Sequence, residues 1–326
     1  MSQHCIIEFD GHMWDSWKHP RLFNRVSVEL STNEASEASW RVFDPEFRLI
    51  DKYSLADGVP LVVIRVWLGH GQNLGEPVFK GLLARVERGE NTTTFRAYDV
   101  SFAMRLEQRP DYHKGDDLAI IKKLVERNYY TDSQGRKVNL RFVGPAHPLR
   151  LEPHDAMTQD EQTDWEHASE RAHDAGLVLF TRGDTVFAAY PAKVGTSKLT
   201  LSYRHDLILL RDFDLAFKVP ENREGRPRQV EVHGRGRGGK RLTGKSDESR
   251  RGTRQLSLKR DLPKHSQRAA SARAQAQKEL EREHAFTASV RSLMPASNLR
   301  ADVRDTIRLE NVGKLFSGLY LCDSVA

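Results

Sequence analysis

Alternating apolar and polar positions run through the first third of the chain and predict β-strands. Segments 5–9, 25–30, 61–68, 78–87 and 93–99 alternate with the period of a strand that buries one face. Turn-forming residues separate the segments, as in the Asp57-Gly58-Val59-Pro60 run. Short strands without an intervening helical pattern predict a barrel or a sandwich over residues 1–105.

The pattern changes to a helical period between residues 106 and 192. A first helix is predicted after Asp116 or Asp117, either of which can cap it. Its apolar face is formed by Leu118, Ile121, Leu124 and Val125. A second helix is predicted with a capping box of Thr158 and Glu161 and with Gly176 as its C-terminal stop. Its apolar stripe is formed by Trp165, Ala168, Ala172 and Ala175.

Short strands accompany these helices. One strand is predicted over 138–143. A hairpin is predicted from strands 177–180 and 185–190, joined by the turn Arg182-Gly183-Asp184. Helices and strands in this order predict a small α/β domain over residues 106–192.

The β pattern returns after residue 198. Strands are predicted over 199–203, 207–210, 213–217, 228–232, 255–258, 285–293, 305–310 and 319–322. An Ala-rich segment predicts a helix over 266–285, and residues 222–264 are predicted to be a basic loop. These elements form a third region over 193–326, so the predicted fold class is α+β and mainly β.

One pattern occurs twice in the chain. Ile64-Arg65-Val66 is followed by Phe79-Lys80-Gly81-Leu82-Leu83, and Ile307-Arg308-Leu309 is followed by Phe316-Ser317-Gly318-Leu319-Tyr320. Each copy predicts a strand, a turn and a second apolar strand that contains a glycine. Such a glycine marks a bulge or a close approach of another backbone, and both curl a sheet. The two copies therefore predict a duplicated β-barrel.

The composition is that of a soluble chain. Of 326 residues, 29% are charged and 38% are hydrophobic. The apolar runs are much shorter than the roughly 20 residues of a membrane helix. The N-terminal segment carries Glu8, Asp10 and Asp15 and lacks an apolar core, so we expect no cleaved signal peptide. Two cysteines, Cys5 and Cys322, exclude a disulfide framework and favour synthesis in a reducing cytosol.

Basic residues are concentrated in one segment. The formal net charge is +6, whereas residues 223–264 alone hold 14 Lys and Arg against 5 Asp and Glu. The candidate partner or DNA contacts in this segment are Arg235, Arg237, Lys240, Arg241 and Lys245. Phosphate groups of nucleic acid or an acidic protein surface would both suit this charge. The segment has no aromatic residue for base stacking, which favours an acidic protein surface.

The same segment matches a nucleotide-binding pattern. Residues 239–246 read G-K-R-L-T-G-K-S, which fits G-x-x-x-x-G-K-[ST]. Phosphate binding also requires a buried strand before the loop and a helix after it. The residues after Ser246 are polar and include Gly252, so no amphipathic helix is predicted there. The overlapping Gly234-x-Gly236-x-x-Gly239 pattern lacks the same context. We therefore expect a Gly-rich hairpin loop and no cofactor.

The remaining residues predict neither a catalytic nor a metal site, so the chain is not expected to be an enzyme. One predicted helix carries Asp164, Glu166, His167, Glu170 and His173. The spacing of the two histidines places them on opposite helix faces, so this cluster is predicted to be a solvated face. The tryptophans are predicted to be core residues or subunit-interface anchors: Trp14, Trp17, Trp40, Trp67 and Trp165.

Three packing motifs occur in a fixed order. The first is the helix Asp117-Leu118-Ala119-Ile120-Ile121-Lys122-Lys123-Leu124. The second runs from Thr163-Asp164-Trp165-Glu166 through Gly176 to the hairpin turn. The third is Asn311-Val312-Gly313-Lys314-Leu315-Phe316-Ser317-Gly318-Leu319-Tyr320. Together they span most of the chain and resemble the phage late control D family, the baseplate hub proteins of contractile phage tails. They are similar also to the hub-like N-terminal part of the valine-glycine repeat spike proteins of type VI secretion.

The resemblance implies two tube-like β-barrels, over 1–105 and 193–326, that flank the small α/β domain. It implies a homotrimer whose barrels form a pseudo-six-fold ring between a hexameric tail tube and a trimeric spike. The implied partners are the tail tube protein, a separate spike protein, other baseplate subunits and, transiently, passing DNA. The spike is expected to be separate because no OB-fold or β-helix segment follows residue 326. The implied location is the phage tail baseplate of the virion, made in the bacterial host cytoplasm, with no membrane insertion.

Two alternatives remain at the level of sequence. The chain could be the hub of a phage-derived contractile injection system. It could also be a nucleic-acid-binding module that uses the basic segment.

Overall fold

Three hydrophobic clusters divide the molecule. The computed structural model describes residues 3–9, 11–19, 23–44, 63–70, 76–132, 134–146, 154–190, 198–203, 209–217, 229–235, 241–245, 255–259, 271, 274–275, 286–293, 301–314 and 317–325. We name residues 3–99 the first unit, 100–190 the middle unit and 198–325 the third unit, because most residues of each cluster come from one of these ranges. The cluster of the middle unit also includes Val63 and Leu82 of the first unit, so these two units share a hydrophobic contact. Strands hold most of the regular structure, which confirms the mainly β fold class. Within the described residues, no helix has the length and apolar character needed to cross a membrane.

The first unit is built on one antiparallel sheet. Its strands are β1 (Gln3–Phe9), β2 (His12–Asp15), β3 (Phe23–Ser31), β4 (Glu37–Phe43), β5 (Val63–His70), β6 (Phe79–Arg88) and β7 (Thr92–Asp99). They are hydrogen-bonded in the order β2-β1-β5-β6-β7-β4-β3, and the C-terminal strand β23 (Ser324–Val325) adds to β3, which gives an eight-stranded sheet. The predicted strands are confirmed, whereas β2 and β4 were not predicted.

The sheet is rolled around an aromatic interior. The ring centroids of Phe9 on β1 and Trp40 on β4 are 6.2 Å apart, although β5, β6 and β7 lie between these strands in the sheet. In a flat sheet the same four strand spacings would separate them by about 19 Å. Trp14 of the edge strand β2 likewise lies 5.8 Å from Phe95 of β7. The sheet therefore curls back on itself, as the walls of a small barrel do.

The middle unit packs two helices against short strands. The helices are α1 (Asp117–Glu126) and α2 (Asp164–Asp174), preceded by a 3₁₀ turn (Val100–Met104). The strands are β8 (Asp111–Gly115), β9 (Tyr129–Thr131), β10 (Lys137–Asn139), β11 (Arg141–Val143), β12 (His154–Gln159), β13 (Val178–Arg182) and β14 (Thr185–Ala189). Pairs β8–β12 and β9–β10 are separate from the sheet β11-β14-β13. The single strand predicted over 138–143 is wrong, because β10 and β11 belong to different sheets.

Both predicted helices are present, and local signals predicted the start of α1 and the end of α2. The carboxylate of Asp116 caps α1 by accepting a bond from the Ala119 amide at 2.7 Å. Helix α2 ends at Gly176, whose left-handed φ of +72° lets the following Leu177 N–H donate to the Ala172 carbonyl oxygen at 2.8 Å. The predicted hairpin β13–β14 follows at once.

The predicted capping box of α2 is wrong. The box is formed by Thr163 and Glu166, each of whose side chains accepts a bond from the other's backbone N–H. Thr158 lies instead in β12, opposite Tyr112 of β8, and Glu161 has a positive φ of +48°. Both threonines satisfy the S/T-x-x-E spacing, so the pairing of β12 with β8 decides between them.

The third unit contains two sheets. The larger has the order β20-β16-β15-β21-β22, with strands β15 (Leu199–Ser202), β16 (Leu209–Phe217), β20 (Phe286–Leu293), β21 (Thr306–Glu310) and β22 (Gly318–Leu321). The smaller has the order β18-β17-β19, with strands β17 (Gln229–Arg235), β18 (Arg241–Lys245) and β19 (Gln255–Lys259). The segments predicted as separate strands over 207–210 and 213–217 contribute to the single strand β16.

The basic loop predicted over 222–264 contains the strands predicted over 228–232 and 255–258, as β17 and β19, and in addition the strand β18, which was not predicted. Strand β17 pairs antiparallel with β18 and parallel with β19. The expected hairpin exists, but its second strand uses residues that were predicted to be loop. The helix predicted over 266–285 lies outside the described residues, apart from helical positions 271, 274 and 275.

The two cysteines are free thiols, Cys5 on β1 and Cys322 after β22. Burial, assisted by nearby carboxylates, raises the pKa of both thiols to about 12. Both are therefore protonated and weakly reactive at neutral pH.

The repeated sequence pattern forms the same strand pair twice. Strands β5 and β6 are antiparallel with Ile64 opposite Gly81, and β21 and β22 are antiparallel with Leu309 opposite Gly318. Beyond this pair the units differ, since β1 is antiparallel to β5 whereas β15 is parallel to β21. A Cβ added to Gly81 would lie 2.2 Å from the Tyr98 carbonyl oxygen, whereas one on Gly318 would meet no described atom within 4 Å. The expected close backbone approach is therefore confirmed at Gly81 alone.

Replacing Gly81 with alanine is expected to lower the free energy of unfolding by about 3 kcal/mol, because the new Cβ overlaps the backbone of β7. Urea unfolding measures the change. Gly318→Ala is the matched control in the corresponding strand pair, with an expected loss below about 1 kcal/mol. Equal losses in the two variants would contradict the difference in packing.

Candidate functional site: the junction of the three units

The loop that joins β3 to β4, residues 31–36, contacts the other two units and is named the junction loop. Its residue Asn33 has a left-handed φ of +60°, which asparagine tolerates better than most residues. The Asn33 N–H donates to the Leu179 carbonyl oxygen at 2.6 Å, and the Asn33 side-chain oxygen accepts a bond from the Leu179 N–H at 3.0 Å. Leu179 belongs to β13, the edge strand of its sheet. Asn33 therefore satisfies this edge as a neighbouring strand would.

Asp99 holds the junction loop to the first unit. Its N–H donates to the Ser36 carbonyl oxygen at 2.9 Å. Its carboxylate accepts bonds from the amides of Ser36 at 2.6 Å and Ser101 at 2.8 Å. The bond to Ser101 caps the 3₁₀ turn that leads into the middle unit. One buried carboxylate thus fixes both the loop and the exit of the chain from the first unit.

The C-terminal segment meets the same loop. The Thr32 N–H donates to the Asp323 carbonyl oxygen at 3.1 Å, and the Thr32 hydroxyl donates to the Asp323 carboxylate. The next residue, Ser324, lies opposite Ser31 where β23 pairs with β3. The last strand of the third unit is therefore part of the sheet of the first unit.

The turn of the β13–β14 hairpin is also held by the first unit. Lys80 of β6 donates to both carboxylate oxygens of Asp184 at 2.6 Å, and the Tyr130 hydroxyl donates to the same carboxylate at 2.5 Å. Burial, the bond to Asp184 and its negative charge raise the pKa of Tyr130 above its ordinary value. The phenol therefore remains a proton donor to Asp184 throughout the neutral range.

Arg182 connects this hairpin to the third unit. Its guanidinium lies 3.2 Å from the Asp302 carboxylate and 3.9 Å from that of Asp305, and it donates to the Val303 carbonyl oxygen. Strand β13 is thus contacted by the first unit at Leu179 and by the third unit at Arg182. The hydrogen bonds and ion pairs of the junction therefore help to fix the orientation of the three units relative to one another.

Asn33→Ala is expected to lower the free energy of unfolding by about 2 kcal/mol. The Leu179 N–H loses its acceptor, and alanine disfavours the left-handed backbone. Asn33→Gly is the matched control, since it keeps this backbone and removes only the acceptor, with an expected loss of about 1 kcal/mol. Urea unfolding separates the two contributions, and full stability of the alanine variant would contradict the role of Asn33.

A second cluster of polar residues is buried inside the middle unit. Arg127, which follows α1, donates to Asp164 at 2.8 Å, to Asp111 at 2.7 Å and to Gln159 at 3.1 Å. Asn128 also donates to Asp164, at 2.6 Å. Burial alone would raise the pKa of Asp164, but the bonds from Arg127, Gln159 and Asn128 bring it below its ordinary value. The charged carboxylate therefore ties both helices to strands β8 and β12.

Two histidines belong to this cluster. The rings of His113 and His167 stack with centroids 5.2 Å apart, and at most 1% of either residue is exposed. His113 Nε2 bonds to Gln159 and His167 Nδ1 to Gln162, both at 2.9 Å. Burial, together with the positive charge of Arg171 and of His113, lowers the pKa of His167 to about 4. His167 is therefore neutral at physiological pH.

The solvated face predicted for α2 is wrong for two of its residues. Asp164 and His167 are each 1% exposed, whereas Glu166, Glu170 and His173 are exposed. In the part of the chain that the structure describes, no group of three or more His, Cys, Asp or Glu side chains could hold a metal ion. The buried pair organises the packing of the middle unit.

Acid is expected to destabilise the protein through His167. The unfolded chain protonates this residue near pH 6.5 and the folded chain only near pH 4, so its contribution to stability is complete above pH 6.5 and falls as the pH drops toward 4. The gap corresponds to about 3 kcal/mol. Urea unfolding across this range measures the slope, which His167→Asn should reduce. His19→Asn, at an exposed position, is the control and should leave the slope unchanged; equal slopes in both variants would refute the assignment.

The sequence-predicted basic residues are brought together only in part. Arg235 at the end of β17 lies opposite Arg241 at the start of β18, and Lys245 ends β18. Arg237 and Lys240 lie outside the described residues. Residues 241–245 of the nucleotide-binding pattern form a strand, so backbone amides that a P-loop would direct at phosphates take part in a β-ladder.

The junction was not predicted from the sequence. Asn33 stands in a Ser-Thr-Asn-Glu run and Asp184 in a predicted hairpin turn, and both signals indicate turns. A turn pattern does not show which distant residue the turn will contact. Leu179 is 146 residues from Asn33, and Asp184 is 104 residues from Lys80.

Comparisons with known proteins identify the fold. No protein-family model and no curated protein match the sequence. The 43 kDa tail protein of prophage MuSo2 from Shewanella oneidensis matches the structure with a TM-score of 0.63 at 12% identity, over 99% of this chain and 93% of that protein. The E. coli c3393 protein is a component of the type VI secretion system and exhibits structural similarity to the T4 bacteriophage tail proteins gp27 and gp5. It matches with a TM-score of 0.55 at 8% identity, over 92% of this chain and 69% of its own. The chain therefore has the fold of a phage tail protein and of a type VI secretion component, as the resemblance of its motifs implies.

Proposed function

We propose that this chain is a structural baseplate hub protein of a contractile phage tail, similar in role to the late control D proteins. It forms a homotrimer whose two β units per subunit make a pseudo-six-fold ring between the hexameric tail tube and a trimeric spike. Its domains are those predicted, over 1–105, 106–192 and 193–326. The hub is non-enzymatic and acts through its shape.

The observation that carries the proposal is the likeness to the MuSo2 tail protein over 99% of this chain. A match of that extent includes both β units and the unit between them. The junction adds a physical argument. A subunit that fills two positions of one ring must hold its two β units in a constant relation, and the junction loop contacts the other two units through Thr32 and Asn33.

The edge of the first sheet at β2 is the proposed ring contact. Its residue Trp17 is exposed, in contrast to the buried Trp14, Trp40 and Trp165. Trp17, just after edge strand β2, is 41% exposed, and Met13 on the same strand is 54% exposed. The His4 ring stacks on Trp17 at 4.1 Å, and the Asp15 carboxylate accepts a bond from the Trp17 N–H at 2.9 Å. A rigid exposed tryptophan beside an open strand is typical of a protein–protein contact.

The proposed partners follow from this role. The ring binds the tail tube protein on one side and a separate spike protein on the other, with further baseplate subunits around it. Passing DNA makes transient contact, and membrane insertion plays no part. The protein is made in the bacterial host cytoplasm and incorporated into the virion tail.

The hub of a phage-derived contractile injection system is the second candidate. The fold match to the type VI secretion component favours it. Both roles use the same ring, and they differ in whether DNA or an effector protein passes through it. Particles purified from producing cells distinguish the two, because only a phage hub occurs in particles with DNA-filled heads.

Negative-stain electron microscopy of the purified protein tests the ring. We expect end-on views with three-fold symmetry, six peripheral lobes and an open centre, with the tail tube and spike proteins added if the chain alone is monomeric. Particles that stay monomeric after both partners are added would refute the hub.

Met13→Lys combined with Trp17→Lys is expected to convert trimers into monomers, because two charges replace the apolar anchors of the open edge, each worth about 2 kcal/mol or more. Native mass spectrometry measures the trimer fraction. Leu106→Lys is the matched control, since Leu106 is 50% exposed but lies in the middle unit. An unchanged trimer fraction in the double variant would show that the ring contact does not lie at this edge.

A further inference from the structure

We infer that the three-stranded sheet β18-β17-β19 is a binding surface for the phosphate backbone of double-stranded DNA. The inference gives a specific surface to the DNA contact of the proposed function, and it does not depend on formation of the ring. It rests on the register of this sheet and on the residue types that the register brings to one face.

The register separates basic from aliphatic residues. Glu231 of β17 lies opposite both Lys245 of β18 and Ser257 of β19, so the odd-numbered residues of all three strands share one face. The basic residues on that face are Arg235, Arg241, Lys245 and Lys259. The aliphatic residues of the opposite face are Val230, Val232, Leu242, Leu256 and Leu258. Every charged residue of the three strands is therefore on one face.

By residue type, that face has more basic than acidic residues. Glu231 is its single acidic residue. Arg235 lies directly opposite Arg241. Like charges in directly opposed positions destabilise a sheet, and an anion bound over the pair removes this repulsion. The arrangement is thus suited to a partner with regularly spaced negative charges.

The residue types favour phosphate over a protein carboxylate surface. Arg, Lys, Ser, Thr and Gln supply most side-chain bonds to DNA phosphates, and all five types occur on this face. Protein–protein interface cores are depleted in Lys and Ser and enriched in Phe, Tyr, Trp and Arg. Residues 223–264 supply Arg but no Phe, Tyr or Trp. The sequence-based preference for an acidic protein rested on that absence, which argues only against stacking of single strands. Contact with a duplex backbone requires no stacking.

Fluorescence anisotropy with a short labelled DNA duplex tests the inference on the full-length protein. We expect binding whose logarithmic dependence on salt has a slope of about −4 when the four basic residues each neutralise one phosphate. Arg235→Gln with Arg241→Gln should weaken binding at low salt by about tenfold or more and reduce the slope by about 2. Lys245→Gln with Lys259→Gln is a second variant on the same face and should act alike.

Arg85→Gln with Arg136→Gln is the matched control, because it removes the same charge from exposed positions outside the sheet. It should leave affinity and slope close to those of the wild type. Equal losses in the control and sheet variants, or no binding at low salt, would overturn the inference. Preference for a single strand of the same length, or displacement of the duplex by poly-glutamate at equal charge, would also overturn it. Electron microscopy tests the ring in a separate experiment. Absence of DNA binding would therefore not contradict the hub proposal.

Discussion

An open sheet edge is the constraint on which the arrangement of the three units depends. Among the described strands, β13 has a neighbour on one side only, and the backbone groups of its other side require partners. Asn33 provides them at Leu179, while the adjacent Thr32 binds the residue before the last strand. One loop of the first unit therefore orients both of the others. A change in the backbone of this loop would disturb two interfaces at once.

Ion pairs between the units supplement these backbone hydrogen bonds. The ion pairs of Lys80 with Asp184 and of Arg182 with Asp302 are partly exposed, and such pairs contribute only about 0–1 kcal/mol each. These ion pairs favour one orientation of the units, because they form only when the units are correctly placed. Inside the middle unit, loss of Arg127 would leave a buried carboxylate without its main partner, which is far more costly. The hydrophobic clusters supply most of the stability, and the polar contacts select one arrangement of them.

The two β units are alike in one strand pair and different beyond it. Both pairs are antiparallel and place a glycine opposite an aliphatic residue, yet only Gly81 meets a neighbouring backbone. In the proposed ring this partial likeness would let one subunit offer two similar positions to a six-fold partner. The differences would give a three-fold partner distinct surfaces. The basic sheet β18-β17-β19 belongs to the third unit alone and thus repeats three times in such a ring.

Interactions between near neighbours explain what could be predicted from the sequence. Most strands, the cap at Asp116 and the stop at Gly176 depend on residues a few positions away, and these predictions were confirmed. The α2 capping box depended on which of two equivalent motifs lay in a paired strand. Strand β18 reads Arg-Leu-Thr-Gly-Lys, has only a weak strand signal of its own and is stabilised by its pairing with β17. The contact of Asn33 with Leu179 spans 146 residues. No local pattern encodes such a partner, because the contact forms only when distant parts of the chain pack together.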